Sequence, residues 1–507
     1  MNLFKAIFAL IGVLFLMYFL LVKVETEPIN TDASKNLKVY CAIGVKVPFE
    51  NAAKEFEKLY SVKISAEFKG SGHLVGPIKL NPVGDLFIAA DSSYTTILKE
   101  VDIVKETLPL AEMHPVIAVQ KGNPKGIKSL EDLKRSEIKV VLANHEAASI
   151  GKVTKKILEK SGDWDAISKN TIDNGVFKPT VTEIANDIKL KAMDATILWD
   201  AIAKQKDFRD HMDFIEVDVL KEQKEQVTIG VLSSSKNPTL ALKFARFLHA
   251  KEKGQKYFID ESFTGIANAD QWNDKPSITI FSGGVNRRAI EKTIEEFQKR
   301  EGVTINTTYN GCGILVGQMK AGSKPDAYFA CDASFMTQVN SVFERAETLS
   351  KTSIVIVVKK GNPLNIKSLE DLTKPGIKIG AGHPEQAALG SLTKKLLESK
   401  GLYEKIFPNI SATAPSADMI ITQFKAGSLD ACIVYQVNIN FMIDEVEVIK
   451  INDEKANAEQ PFGIANYSNN RYLLERFLEA LKNNSQHFTN AGFNYIGPKN
   501  QFPKFNK

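Results

Sequence analysis

The stretch at residues 68–91, FKGSGHLVGPIKLNPVGDLFIAAD, is written a second time at residues 309–332 as YNGCGILVGQMKAGSKPDAYFACD. Asp85 answers to Asp326 and Asp91 to Asp332, a constant offset of 241 residues (326 − 85 and 332 − 91) with no gap between them. The chain is therefore a tandem duplication. Its 507 residues divide into two domains, each long enough to bury a core of its own. We assign residues 1–24 to a signal peptide or signal anchor, 25–36 to a linker, 37–272 to domain one and 273–507 to domain two.

In each copy a β-rich run breaks at Gly-Xaa-Gly, where Xaa is Ser71 or Cys312, and an amphipathic segment follows. This reads as strand, glycine turn and helix start. Glycine allows close backbone approach, and the first turn of a helix leaves N–H groups unpaired at the positive end of the helix dipole. Such a turn can seat an anion. One Gly-Xaa-Gly is equally a plain structural turn. Its recurrence in the same context is what favours a function.

The rest of the chain alternates strands and helices, which predicts a mostly parallel sheet in each lobe. KGNP at residues 121–124 and again at 360–363 follows a run without helical period, read as a strand crossing between lobes. SLEDL recurs at residues 129–133 and 368–372, and the turns NHEAASIG (144–151) and HPEQAALG (383–390) open further helices. The strands DATILWD (194–200) and DACIVYQ (430–436) put Trp199 opposite Tyr435. Asp85 and Asp91, at strand ends, read as structural capping residues.

Residues 6–22, AIFALIGVLFLMYFLLV, form an uninterrupted apolar run between Lys5 and Lys23. No small-residue cleavage site follows closely, so an uncleaved anchor is expected, with the remainder exported to the periplasm or cell surface. The four cysteines then face an oxidising compartment. Cys312 and Cys331 could bridge, but buried free thiols are the expectation for all four, and no CxxC supports a metal or redox site. Lys and Arg are interleaved with Asp and Glu at a net charge of only +5, which excludes a nucleic-acid footprint.

These residues resemble the periplasmic solute-binding proteins of ABC importers (type II), and among them the molybdate/tungstate-binding branch. The likeness is carried by the GSG helix start, GDLFIAAD, KGNP, HPEQAALG, DACIVYQ and the closing Asn-Pro helix from Asn237, and it covers nearly all of the exported chain, twice. It implies two tandem α/β clamshell domains of two lobes each, with no cofactor, an oxyanion in each interlobe cleft, and an ABC transporter permease as partner. The site residues it implies in domain one are Gly44, Ser71, Gly72, Ile150, Thr182 and Trp199. In domain two they are Gly284, Val285, Cys312, Gly313, Leu389, Ser416 and Tyr435. Cys312 and Trp199 depart from the family pattern of a hydroxyl at those positions, so each domain keeps a different part of the implied site.

Elementary chemistry agrees with an oxyanion. Molybdate, tungstate and sulfate carry only acceptors when fully ionised, so neutral donors suffice. Phosphate keeps a proton and would gain from a carboxylate, which neither glycine turn contains. Arg287 and Arg288 could face the second cleft and favour a larger anion, although a solvated helix end explains them as well. No G-x-S-x-G or HExxH occurs and only seven histidines are scattered along the chain, so an enzyme is not expected. The competing readings are a membrane-tethered sensor or adhesin with the same fold, and a receptor for an organic or phosphorylated anion.

Overall fold

The computed structural model describes residues 36–498. The apolar run at residues 6–22 lies outside the described residues, and among those described no helix is long and apolar enough to cross a membrane. Each domain has two α/β lobes. In domain one the first-lobe sheet has the order Lys63–Lys69, Asn36–Ala42, Leu86–Ala89, Glu225–Leu232, Val104–Met113. The second-lobe sheet runs Val176–Lys178, Val140–Ala143, Ala195–Trp199, Pro115–Gln120, Met212–Ile215.

The sheets are mixed in a regular way. In the first lobe only Glu225–Leu232 is antiparallel to its neighbours, and in the second only Pro115–Gln120 is. Each reversed strand is the one that arrives from the other lobe. Reversal is thus the consequence of crossing between lobes, and the other strands keep the common direction that alternation with helices dictates. In domain two the outgoing crossing is one continuous strand, Glu347–Lys359, which pairs into both lobes. In domain one it is broken at His114, whose backbone N–H donates to Asp200.

Local sequence explains the elements. Helix Lys46–Tyr60 buries Phe49, Ala52, Ala53 and Phe56 at helical spacing and ends at Ser61, whose φ of 51° is left-handed. Its repeat, Arg287–Glu301, ends at Gly302 with φ 67°, where glycine removes the steric cost. Phe56 packs on Phe244 with ring centroids 4.8 Å apart, and the repeat pair Phe297–Phe477 stands at 5.2 Å. Asp91 and Asp332 cap their helices through Ser93 N and Ser334 N, at 2.8 and 2.9 Å. Asp85 accepts from Lys38 N and Ser235 Oγ, and Asp326 from Thr279 N and Ser468 Oγ.

The domains are joined through their first lobes. Glu301, 1% exposed, accepts from Arg246 of domain one at 2.7 Å and from Arg476 of its own domain at 2.6 Å. Burial alone would raise the Glu301 carboxyl, but the two guanidiniums more than offset it and hold its pKa low. Arg300 grips Glu106 with two hydrogen bonds at 2.6 and 2.9 Å, and Asp270 accepts from the backbone of Tyr472 and Leu473. Within domain one, the positions corresponding to Glu301 and Arg476 are Tyr60 and Lys243, a cation–π pair at 3.8 Å. The same slot carries an ion pair in domain two, and Arg246 reaches it across the interface.

Replacing Glu301 by Ala leaves two buried guanidiniums without the carboxylate they share, with only the more distant Asp270 near both. Urea denaturation should report a loss of about 3–5 kcal/mol. A loss below about 1 kcal/mol would mean the triad does not hold the interface.

Candidate ligand cavities between the lobes

In each domain two helix N-termini, one from each lobe, converge on a cavity. In domain one these are Ser71–Leu80 and Ser149–Ser161, and in domain two Cys312–Lys320 and Ala388–Ser399. The cavities are small, with volumes of about 20 and 30 Å³. Both domains are closed. Gly72 N–H donates to Ala147 O at 3.1 Å across the cleft, and Gly313 N–H donates to Gln386 O at 3.0 Å. Lys152 adds a second tie in domain one, donating to Ser93 Oγ at 2.6 Å.

This contact is the physical reason for the repeated glycines. A Cβ on Gly70 or Gly72 would overlap the carbonyl oxygen of Ala147 or Glu146, and one on Gly311 or Gly313 would overlap that of Gln386 or Glu385. The expected ligand role of Gly72 and Gly313 is therefore corrected: their N–H groups are spent on the opposite lobe, and neither residue lines its cavity.

Gly44, Ser71, Ile150 and Trp199 all line the first cavity. Thr182 does not; Val181 does, and the position matching Ser416 is Thr180, whose hydroxyl is occupied as the helix cap by Glu183 N. Thr182 lies two residues further along the helix than its cap, Thr180. Ser149, at the start of its helix, lines the cavity and was missed, although it stands within the NHEAASIG turn. Ser71 Oγ accepts from Ala90 N at 3.2 Å, which leaves its O–H free to donate. The remaining lining is apolar, and among the described residues no charged side chain reaches it.

The second cavity is lined by Gly284, Val285, Leu389, Ser416 and Tyr435, and also by Asn310, Asp418 and Asn438, which sequence reasoning did not name. Asn438 lies three residues beyond Tyr435, where no repeat motif drew attention to it. Ser416 caps its helix by position but makes no side-chain cap hydrogen bond, unlike Thr180. The Tyr435 hydroxyl is buried without a partner, and burial, then Asp332 and Tyr328, raises its pKa well above the usual tyrosine value. It is a neutral hydroxyl at any physiological pH. Arg287 is exposed and paired with Glu291 at helical spacing, while Arg288 stacks 4.1 Å from the Phe441 ring.

Cys312 does not offer a thiol to this cavity. It is disulfide-bonded to Cys331, correcting the expectation of free thiols, while Cys41 and Cys432 are free and buried. The bridge depends on a third substitution. Cys312 and Cys331 occupy the places of Ser71 and Ala90, and Gly283 that of Ala42 (each offset by 241). A Cβ on Gly283 would overlap Cys331 Sγ, so the disulfide fills the room an alanine takes in domain one.

A model of bacterial extracellular solute-binding proteins matches residues 37–263 and again 278–494, one segment in each domain. The chain belongs to that family. A Haemophilus influenzae protein described as a binding protein is 30% identical over 232 residues, covering 45% of this chain and 90% of that one. The molybdate-binding protein ModA of Mycobacterium tuberculosis is 26% identical over 164 residues, 31% of this chain and 60% of its own length. The solved molybdate-binding protein of Azotobacter vinelandii aligns with 46% of this solute-binding protein and 100% of its own chain, at 14% identity and a TM-score of 0.40.

Replacing Gly72 by Ala should hold domain one open. Small-angle scattering of the variant should give a larger radius of gyration than wild type, and ligand affinity in domain one should fall about tenfold or more, the loss of one closing hydrogen bond and its neighbours. An unchanged radius and affinity would show that closure does not pass through this contact.

Proposed function

We propose that this solute-binding protein captures a fully ionised tetrahedral oxyanion, molybdate or tungstate, in the cleft of domain one and delivers it to the permease of an ABC importer, tethered to the membrane by its N-terminal segment. The observation that carries the reading is the donor set of the first cavity. Two helix N-termini from opposite lobes meet there, with the Ser71 hydroxyl and no carboxylate. An ion with only acceptors is matched by such a lining, and the low-dielectric surround strengthens each hydrogen bond. A relative named as a molybdate-binding protein supports the choice of ion.

All three tryptophans, Trp164, Trp199 and Trp272, belong to domain one, and Trp199 lines its cavity. Tryptophan emission therefore reports domain one alone. Molybdate should change the emission of the full-length protein saturably, and Ser71→Ala should weaken that binding by about 1–3 kcal/mol, roughly 5- to 150-fold in Kd. Unchanged affinity in the variant would remove Ser71 from the site, and no response to either metal oxyanion would overturn the proposal.

A further inference from the structure

The two cavities do not ask for the same ligand. At the positions of Trp199, Ile202 and Thr182 (each offset by 236), domain two has Tyr435, Asn438 and Asp418. Trp199 can only donate and Ile202 does neither, whereas Thr182 lies outside the first cavity. In domain two all three positions line the cavity. The Tyr435 hydroxyl and Asn438 Oδ1 are more than nine-tenths buried and have no hydrogen-bond partner in the protein. A buried polar atom without a partner is costly, and these two share one cavity wall, so the partner they lack is a ligand.

The unmet need is for a donor as well as acceptors. Asn438 Oδ1 requires an O–H or N–H from whatever occupies the cavity, and the exposed Asp418 carboxylate at its rim adds a negative charge that disfavours a fully ionised anion. Turning the Asn438 amide over would exchange its oxygen for a donor but would leave Asp418, which only accepts. The disulfide removes the hydroxyl that Ser71 supplies in domain one, so donation falls to Tyr435 O–H, to Ser416, to the Asn310 amide and to the first turn of Ala388–Ser399. A fully ionised oxyanion satisfies those donors and leaves the buried Asn438 Oδ1 facing its negative oxygens, beside the Asp418 charge at the rim.

We infer that the cavity of domain two binds an oxyanion that keeps an O–H at neutral pH, of the phosphate type, with Tyr435 donating to its oxygens, Asn438 accepting from its hydroxyl and the Asp418 carboxylate at the rim disfavouring a fully ionised ion. The inference rests on reading these clefts as oxyanion seats and goes beyond it by assigning a second, different ligand to the second domain. A site built to accept from a ligand hydroxyl rejects an analogue without one, because its buried acceptor is then left unpaired.

Calorimetric titration of the full-length protein, its first cleft saturated with molybdate, with inorganic phosphate and with sulfate tests this, alongside tryptophan emission. Phosphate should bind with heat but without an emission change, since domain two has no tryptophan, and at least about tenfold tighter than sulfate. Installing the domain-one residues, Asn438→Ile with Asp418→Thr, should erase that preference while the molybdate response of Trp199 stays as in wild type. Tyr435→Phe keeps the ring in place and should weaken phosphate binding about tenfold, which tests the site if the double variant misfolds. Equal binding of phosphate and sulfate, absence of phosphate binding, or a preference that survives both sets of variants would overturn the inference. Loss of the molybdate response would instead overturn the reading of domain one, so the two failures are separable.

Discussion

The architecture depends on one close approach, made twice, in which a backbone N–H at the end of Gly-Xaa-Gly meets a backbone carbonyl of the opposite lobe. Gly72 to Ala147 and Gly313 to Gln386 bring the lobes to a distance that no side chain at those glycines would permit. The same contact puts two helix N-termini on either side of one small cavity. Closure and donor convergence are a single geometric fact. The glycines that looked like ligands serve the closure, and the residue between them is left to address the cavity.

Duplication let the domains diverge around that shared frame. In domain one the intervening residue is a serine whose oxygen is held by Ala90 N and whose hydrogen is free. In domain two it is a cysteine consumed by a bridge to Cys331, and Gly283 yields the space. The polar groups of the second cavity come instead from Asn310 at a first-lobe strand end and from Asn438, Ser416 and Tyr435 in the second lobe. At the interface a cation–π slot was converted into the Glu301 carboxylate, shared by Arg476 of its own domain and Arg246 of the other. Its members are all first-lobe residues, which leaves the second lobes to move against a common base.

Much of this was legible beforehand, for identifiable reasons. The offset of 241 residues gave the tandem organisation, hydrophobic spacing gave Lys46–Tyr60 and its repeat, and strand-end aspartates gave the caps at Asp91 and Asp332. Each of these is a local signal. Pairing of Cys312 with Cys331 was not legible, because 19 residues of separation say nothing about whether a strand end and a helix start face each other. The coordinated change at Ala42, Ser71 and Ala90 carried that information, but only a structure makes the three positions neighbours. The buried triad and the placement of Asn438 and Asp418 at the second cavity are likewise products of docking, to which periodicity is blind.

The most direct test of the account is an anomalous difference map from crystals of the full-length protein grown with tungstate. The account predicts a tungsten peak in the closed cleft of domain one, within hydrogen-bond reach of Ser71 Oγ and the first turn of Ser149–Ser161. A closed first cleft without tungsten, or a peak only on the protein surface, would contradict it.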